Sequence, residues 1–301
     1  MRQLPPKPTV ADFDPEVLQL FDQYVHGLID RRGFLAGAAR FATGAMTAAG
    51  LLAVLSPRFA AAQQVKPDDP RLATEYRVFD SPKGYGKARG YLARPAKAAG
   101  PLPVVLVVHE NRGLNPHIED VTRRLALENF IAFAPDALHP LGGYPGDEDK
   151  AREAFAKLDQ AKTRQDFLAA AGLLRGVEGG NGRLGVVGFC YGGGMANFLA
   201  TQLPELVAAA PFYGPAPALA DVPKIKAELL VVLAGEDPRV NATWPPYRAA
   251  LEQAGVRFAL YQPEGTQHGF NNDTTPRYDE KAAREAWTRT LALFERRLRG
   301  A

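Results

Sequence analysis

The sequence predicts an α/β protein with a mostly parallel central sheet and helices on both faces. Three observations carry this expectation. Short aliphatic runs alternate with amphipathic helical patterns from residue 75 to the C-terminus. The run Val104-Val105-Leu106-Val107-Val108 has no polar position, as a strand buried on both faces requires. A glycine-flanked cysteine, Gly188-Phe189-Cys190-Tyr191-Gly192-Gly193, stands where a strand pattern hands over to a helical one. Composition agrees, since 46% hydrophobic residues over 301 positions suffice for a large core. A net charge of +3 leaves no electrostatic footprint for nucleic acid. One cysteine excludes an intramolecular disulfide and a Cys-rich zinc site, so Cys190 matters as a thiol.

The elements follow in chain order. Residues 14–30 read as an amphipathic helix, with Val17, Leu18, Phe21, Val25 and Leu28 at helical spacing. Arg31-Arg32-Gly33-Phe34-Leu35 comes next, then a mildly apolar stretch over 36–55, then Pro57, Arg58 and Ala60-Ala61-Ala62. Charge, apolar run and small-residue site in that order mark an export signal, and the arginine pair resembles a twin-arginine signal. Asp30 stands where that signal has Ser or Thr, and the segment before it is unusually long. This reading makes 1–62 an N-terminal extension cleaved near Ala62, the twin-arginine export machinery a partner, and the periplasm or exterior the destination. A membrane anchor and a helical hairpin packed on the rest of the chain are the alternatives. Residues 63–301 form one catalytic domain.

Within that domain, strands are expected over 75–79 and 90–94, joined across Ser81-Pro82-Lys83-Gly84, and then over 104–108 and 130–134, with a helix over 116–129 between the last two. Helices over 149–160 and 165–175, a strand over 184–187 and a helix over 193–201 continue the alternation. Strands over 207–212, 229–234 and 257–261 and helices over 244–254 and 279–298 complete it.

The Gly-x-Cys-x-Gly segment has the form of a nucleophile elbow with Cys190 in the usual serine place, and the chain's two serines, Ser56 and Ser81, offer no rival. A thiol nucleophile needs a base, and the base an orienting acid, in the chain order nucleophile, acid, histidine. Asp237 and His268 supply them, each just past a strand and so at the carboxyl edge of the sheet. Glu236 is the rival acid. His26, which precedes the signal segment, and His117 and His139, in segments that look like surface, are the weaker bases, and His109 ends the central strand in a structural or site-lining role. No histidine pair has helical ligand spacing, so neither a metal nor another cofactor is expected.

These residues resemble the dienelactone hydrolase (carboxymethylenebutenolidase) family, an α/β-hydrolase fold, over nearly all of 63–301. Gly-Phe-Cys190-Tyr-Gly-Gly, Gly-Glu-Asp237 and Gln-His268-Gly-Phe270 carry the resemblance, with Val-Val-His-Glu110-Asn-Arg-Gly-Leu-Asn and Ala134-Pro135-Asp136. It implies that Glu110 hydrogen-bonds the resting thiol and that the backbone N–H groups of Asn111 and Tyr191 form the oxyanion hole. The family holds its substrate carboxylate with two arginines. Asn272 occupies the first of these places, and Arg152 matches the second. Arg112 and Phe270 are further candidates for contact with substrate. The function implied is cofactor-free hydrolysis of small esters or lactones through an acyl-cysteine. Thioesterase or general carboxylesterase activity is the runner-up, and a non-catalytic binding protein on the same fold comes after it.

Overall fold

The computed structural model describes residues 8–43 and 46–300. Its strands are β1 (Leu72–Ser81), β2 (Gly86–Pro95), β3 (Leu102–Val108), β4 (Ile131–Pro135), β5 (Gly180–Phe189), β6 (Leu206–Phe212), β7 (Glu228–Val232) and β8 (Phe258–Tyr261). They form one sheet in the order β1-β2-β4-β3-β5-β6-β7-β8. The pairs β1–β2 and β2–β4 are antiparallel and the rest parallel. The α-helices are α1 (Pro15–Val25), α2 (Arg31–Ala38), α3 (Ala48–Leu55), α4 (Phe59–Ala62), α5 (Pro116–Leu127), α6 (Glu148–Phe155), α7 (Gln160–Arg175), α8 (Tyr191–Gln202), α9 (Pro238–Asn241), α10 (Trp244–Gln253) and α11 (Glu280–Leu298).

The chain passes from β3 to β4 on one side of β3, then returns to β5 on the other. That reversal opens a crevice at the carboxyl ends of β3 and β5, where open α/β sheets bind ligands. Val104 to Val108 are wholly buried, splitting alternately between two cores on opposite faces of the sheet. Each such side chain contributes roughly 1.5–3 kcal/mol on burial, which fixes the strand whose end carries Glu110. The helix expected over 149–160 ends at Phe155 instead, and α7 starts early because the Asp159 carboxylate caps it, accepting from the N–H of Ala161 and of Lys162.

The N-terminal segment departs most from expectation. The helix expected over 14–30 stops at Val25, and Gly27 turns the chain with a φ of +74°. The twin arginines occupy the first two positions of α2, whose N-cap is Asp30, accepting from the Gly33 N–H at 2.7 Å. The stretch over 36–55 is no continuous span: α2 and α3 are separate short helices, and no described helix is long and apolar enough to cross a membrane. Phe34, Ala38, Leu51, Leu52 and Leu55 pack instead on Val17, Leu18, Phe21 and Tyr24 of α1, making a small core of their own.

Candidate active site

Cys190 sits between β5 and α8 with φ +56° and ψ −113°, a backbone conformation that costs a non-glycine residue about 1–3 kcal/mol. Its neighbours hold it there. A Cβ on Gly188 would lie 2.0 Å from the Gly192 carbonyl oxygen, and one on Gly192 would lie 2.2 Å from that of Val108. The Cys190 N–H donates to Phe212 O at 3.0 Å. The N-terminus of α8 therefore lies against the sulfur, and the Tyr191 N–H, in the first turn, has no acceptor within its own helix.

His268 Nδ1 meets Asp237 Oδ2 at 2.5 Å, and both are buried. Asp237 is also the N-cap of α9, accepting from the Val240 N–H at 3.3 Å, which fixes its carboxylate. Burial opposes charge on Asp237, but the His268 contact outweighs it and holds the carboxyl below its usual range. Burial likewise disfavours the Cys190 thiolate, yet the imidazoles of His268 and His26 prevail and hold the thiol well below the ordinary thiol range. His268 is held above its own usual range, because the sulfur and Asp237 overcome the burial that would favour its neutral form. The arrangement favours a thiolate beside an imidazolium.

His109 is a structural pin. Its Nδ1–H donates to Glu110 O at 2.5 Å, its Nε2 accepts from the Ala137 N–H at 3.1 Å, and burial keeps it neutral. His117 does not lie at the surface, as its segment suggested: it is buried on α5, facing Asp273 Oδ1 at 3.4 Å. Glu110 Oε2 accepts from Asn272 Nδ2 at 3.0 Å. Arg112 is buried beside Glu148 at 3.6 Å and donates to Asn111 Oδ1 at 2.7 Å.

His26, expected to lie away from the chemistry, is at its centre. Its Nε2 is 3.6 Å from Cys190 Sγ and 3.3 Å from His268 Nε2. Its Nδ1 faces Asp22, at 2.8 Å from the backbone oxygen and 3.2 Å from Oδ1. The N-terminal segment thus caps the crevice. Asn111 Nδ2 donates to Val25 O at 2.9 Å, Arg152 Nη1 donates to Tyr24 O at 2.9 Å, Arg31 pairs with Asp149 at 3.1 Å, and the Tyr24 hydroxyl donates to Asp149. Arg152 is therefore a strut for the cap and does not line the cavity over Cys190. Phe270, which the motif offers as a substrate contact, is instead wholly buried against Tyr213 and belongs to the core beneath.

The cavity over Cys190 measures about 50 Å³, room for a few waters, and its wall includes Tyr24, His26, Glu110, Arg112, His268 and Arg277. A wider cleft of about 890 Å³ runs along the other side of α1 to Asp237 and His268, without Cys190 in its wall. Arg277 escaped the sequence reading. It is buried, its Nη1 lies 3.8 Å from Asp22 Oδ1, and among the described residues its Nε, its Nη1 and the Nε of Arg112 make no hydrogen bond, so two cationic groups with only long carboxylate contacts at these atoms face the cavity.

A strained elbow residue at the switch point, a His–Asp pair on the next loops and a mostly parallel sheet define an α/β hydrolase. The dienelactone hydrolase family model matches residues 88–298, and a second model, described as YqhI-like, matches residues 5–42. The "Putative carboxymethylenebutenolidase" of Synechocystis sp. is 34% identical over 232 residues, covering 70% of this chain and 92% of its own. The "Putative hydrolase fragment YghX" of Escherichia coli is 54% identical over 114 residues, 38% of this chain and 97% of its own. Among solved structures, the "Putative Dienelactone Hydrolase" of Klebsiella pneumoniae subsp. pneumoniae superposes with a TM-score of 0.66 at 28% identity, covering 74% of this chain and 99% of its own. The chain belongs to the dienelactone hydrolase family and is a hydrolase of the ester- and lactone-cleaving class.

Proposed function

We propose that this protein hydrolyses small carboxylic esters or lactones through an acyl-enzyme on Cys190. The observation that carries this reading is the elbow sulfur beside the His268–Asp237 pair. The thiolate attacks the carbonyl carbon, and the developing oxyanion is met by the N–H groups of Tyr191 and Asn111, each such donor being worth roughly 3–4 kcal/mol. His268 gives its proton to the departing alkoxide, then takes one from the water that attacks the thioester, and collapse returns the cysteine. Asp237 keeps the imidazole oriented throughout. Glu110, held by Asn272 where the family resemblance places an arginine, controls the resting thiol. Arg112 and Arg277 in the cavity wall, held only at 3.6 Å from Glu148 and 3.8 Å from Asp22, suit a substrate that carries a carboxylate.

A cavity of about 50 Å³ falls well short of the several hundred that enclose a small organic ligand, so turnover needs the cap to lift or to be cut away. Aryl-ester kinetics test the reading. Cys190→Ala and His268→Ala each lower kcat by several orders of magnitude; wild-type rates in either variant would remove that residue from the mechanism.

We also propose export of the folded enzyme by the twin-arginine route, with cleavage near Ala62. Arg32 is exposed at the start of α2, where a receptor can read it. N-terminal sequencing of protein from its native host should start near Gln63, in the periplasmic fraction. An intact Met1 in the cytosol would instead make the segment a permanent cap.

A further inference from the structure

We propose that His26, Cys190 and His268 form a binding site for a thiophilic divalent cation, with Zn²⁺ as the best fit, assembled only when the N-terminal cap is docked. The three donor atoms lie within 4.8 Å of one another. A tetrahedral zinc with Zn–N of about 2.0 Å and Zn–S of about 2.3 Å requires an N···N edge of about 3.3 Å and an N···S edge of about 3.5 Å. The two edges that meet at His26 Nε2 measure 3.3 Å to His268 Nε2 and 3.6 Å to Cys190 Sγ. Two imidazoles and one thiolate make a donor set that zinc takes readily, leaving a fourth position for water.

The surroundings match as well. His268 gives its Nδ1–H to the Asp237 carboxylate, and His26 gives its own to the Asp22 backbone oxygen at 2.8 Å with the Asp22 carboxylate 3.2 Å away, which leaves each Nε2 to face the sulfur. A carboxylate behind one ring and a backbone carbonyl behind the other are the partners that orient metal-binding imidazoles. In this structure Arg239 Nη2 donates to His26 Nε2 at 2.8 Å, so the Nε2 lone pair already faces a cation. Arg239 is exposed and can swing out as the metal enters. Asp22, Asp237 and Glu110 offset the added charge, while Arg112 and Arg277 oppose it from the cavity wall. Binding sends the thiol proton and any imidazolium proton to solvent.

One ligand belongs to the cap and two to the hydrolase domain, so in the uncleaved chain the metal staples the cap shut over Cys190, and cleavage near Ala62 removes the site. Inhibition of hydrolysis by Zn²⁺ follows if Cys190 is the nucleophile; the binding itself does not depend on that reading. The test is a titration of full-length protein with Co²⁺ as a spectroscopic probe, repeated as displacement by Zn²⁺. The expected result is one Co²⁺ per chain, with tetrahedral d–d bands and a thiolate-to-cobalt charge-transfer band. His26→Ala and His26→Gln, each confirmed as folded by circular dichroism, weaken binding by more than about tenfold. Arg239→Ala tightens it. Absence of the thiolate band in the wild type, or undiminished affinity in both folded His26 variants, would overturn the proposal. Metal binding without loss of turnover would leave the site standing and count against Cys190 as the nucleophile.

Discussion

Arg152→Ala separates two roles for that arginine. In the structure Nη1 donates to Tyr24 O at 2.9 Å, the guanidinium lies 4.3 Å from the Tyr24 ring centroid, and Nη2 pairs with Asp149 at 3.4 Å. A hydrogen bond from a charged donor is worth about 1.5–3 kcal/mol and a partly desolvated cation–π contact about 0.5–2 kcal/mol. Arg152→Ala should therefore weaken cap docking by about 2–4 kcal/mol, raising the open fraction roughly 30- to 1000-fold. A bulky maleimide cannot enter a cavity of about 50 Å³, so its reaction with Cys190 reads the open fraction while the cap recloses faster than the label attacks. The labelling rate should rise by that factor, with faster amide exchange over Pro15–Val25. Unchanged labelling and exchange would refute the reasoning. A higher KM confined to anionic esters would then return Arg152 to the substrate-binding role implied by the family resemblance.

Further outcomes follow from the elbow and its neighbours. Gly192→Ala should yield little folded protein, because its Cβ would sit 2.2 Å from Val108 O; soluble enzyme with normal turnover would contradict the packing of the elbow. Small-reagent alkylation of Cys190 should persist as pH falls well below the ordinary thiol range, since the thiol is lowered by its imidazole neighbours. His268→Ala should move the rise in that profile to higher pH, and superimposable profiles would exclude the pairing. Glu110→Gln should lower turnover and alter the alkylation rate without substrate; identical rates per folded molecule would leave Glu110 a structural partner of Asn272.

Legibility in the sequence followed the locality of the signal. The elbow could be read because its glycines, its cysteine and the strand-to-helix change fall within a few residues. Asp237 and His268 could be read because each follows a strand, and strand ends share one edge of a parallel sheet. His26 could not: it lies 164 residues from Cys190 and 242 from His268, and an amphipathic helix does not state what its polar end will meet. The apolar stretch before Ala60 resembles a signal in composition, and composition does not reveal that Leu51, Leu52 and Leu55 fold back on α1. Arg152 and Arg277 show the same limit from the catalytic side, since which arginine faces the cavity depends on where the cap lies. Phe270 shows a different limit. One residue past a tight glycine turn its ring points inward to Tyr213, a direction that motif spacing does not encode.

The central claim is a covalent acyl-cysteine, and intact-protein mass spectrometry tests it most directly. Acid-quenched enzyme mixed with an activated aryl ester should gain one acyl group, located by peptide mapping on the segment containing Cys190. The adduct should decay in the wild type, persist longer in Asp237→Asn and be missing in Cys190→Ala. An acyl group on any other residue, or steady-state hydrolysis by Cys190→Ala at the wild-type rate, would contradict the account.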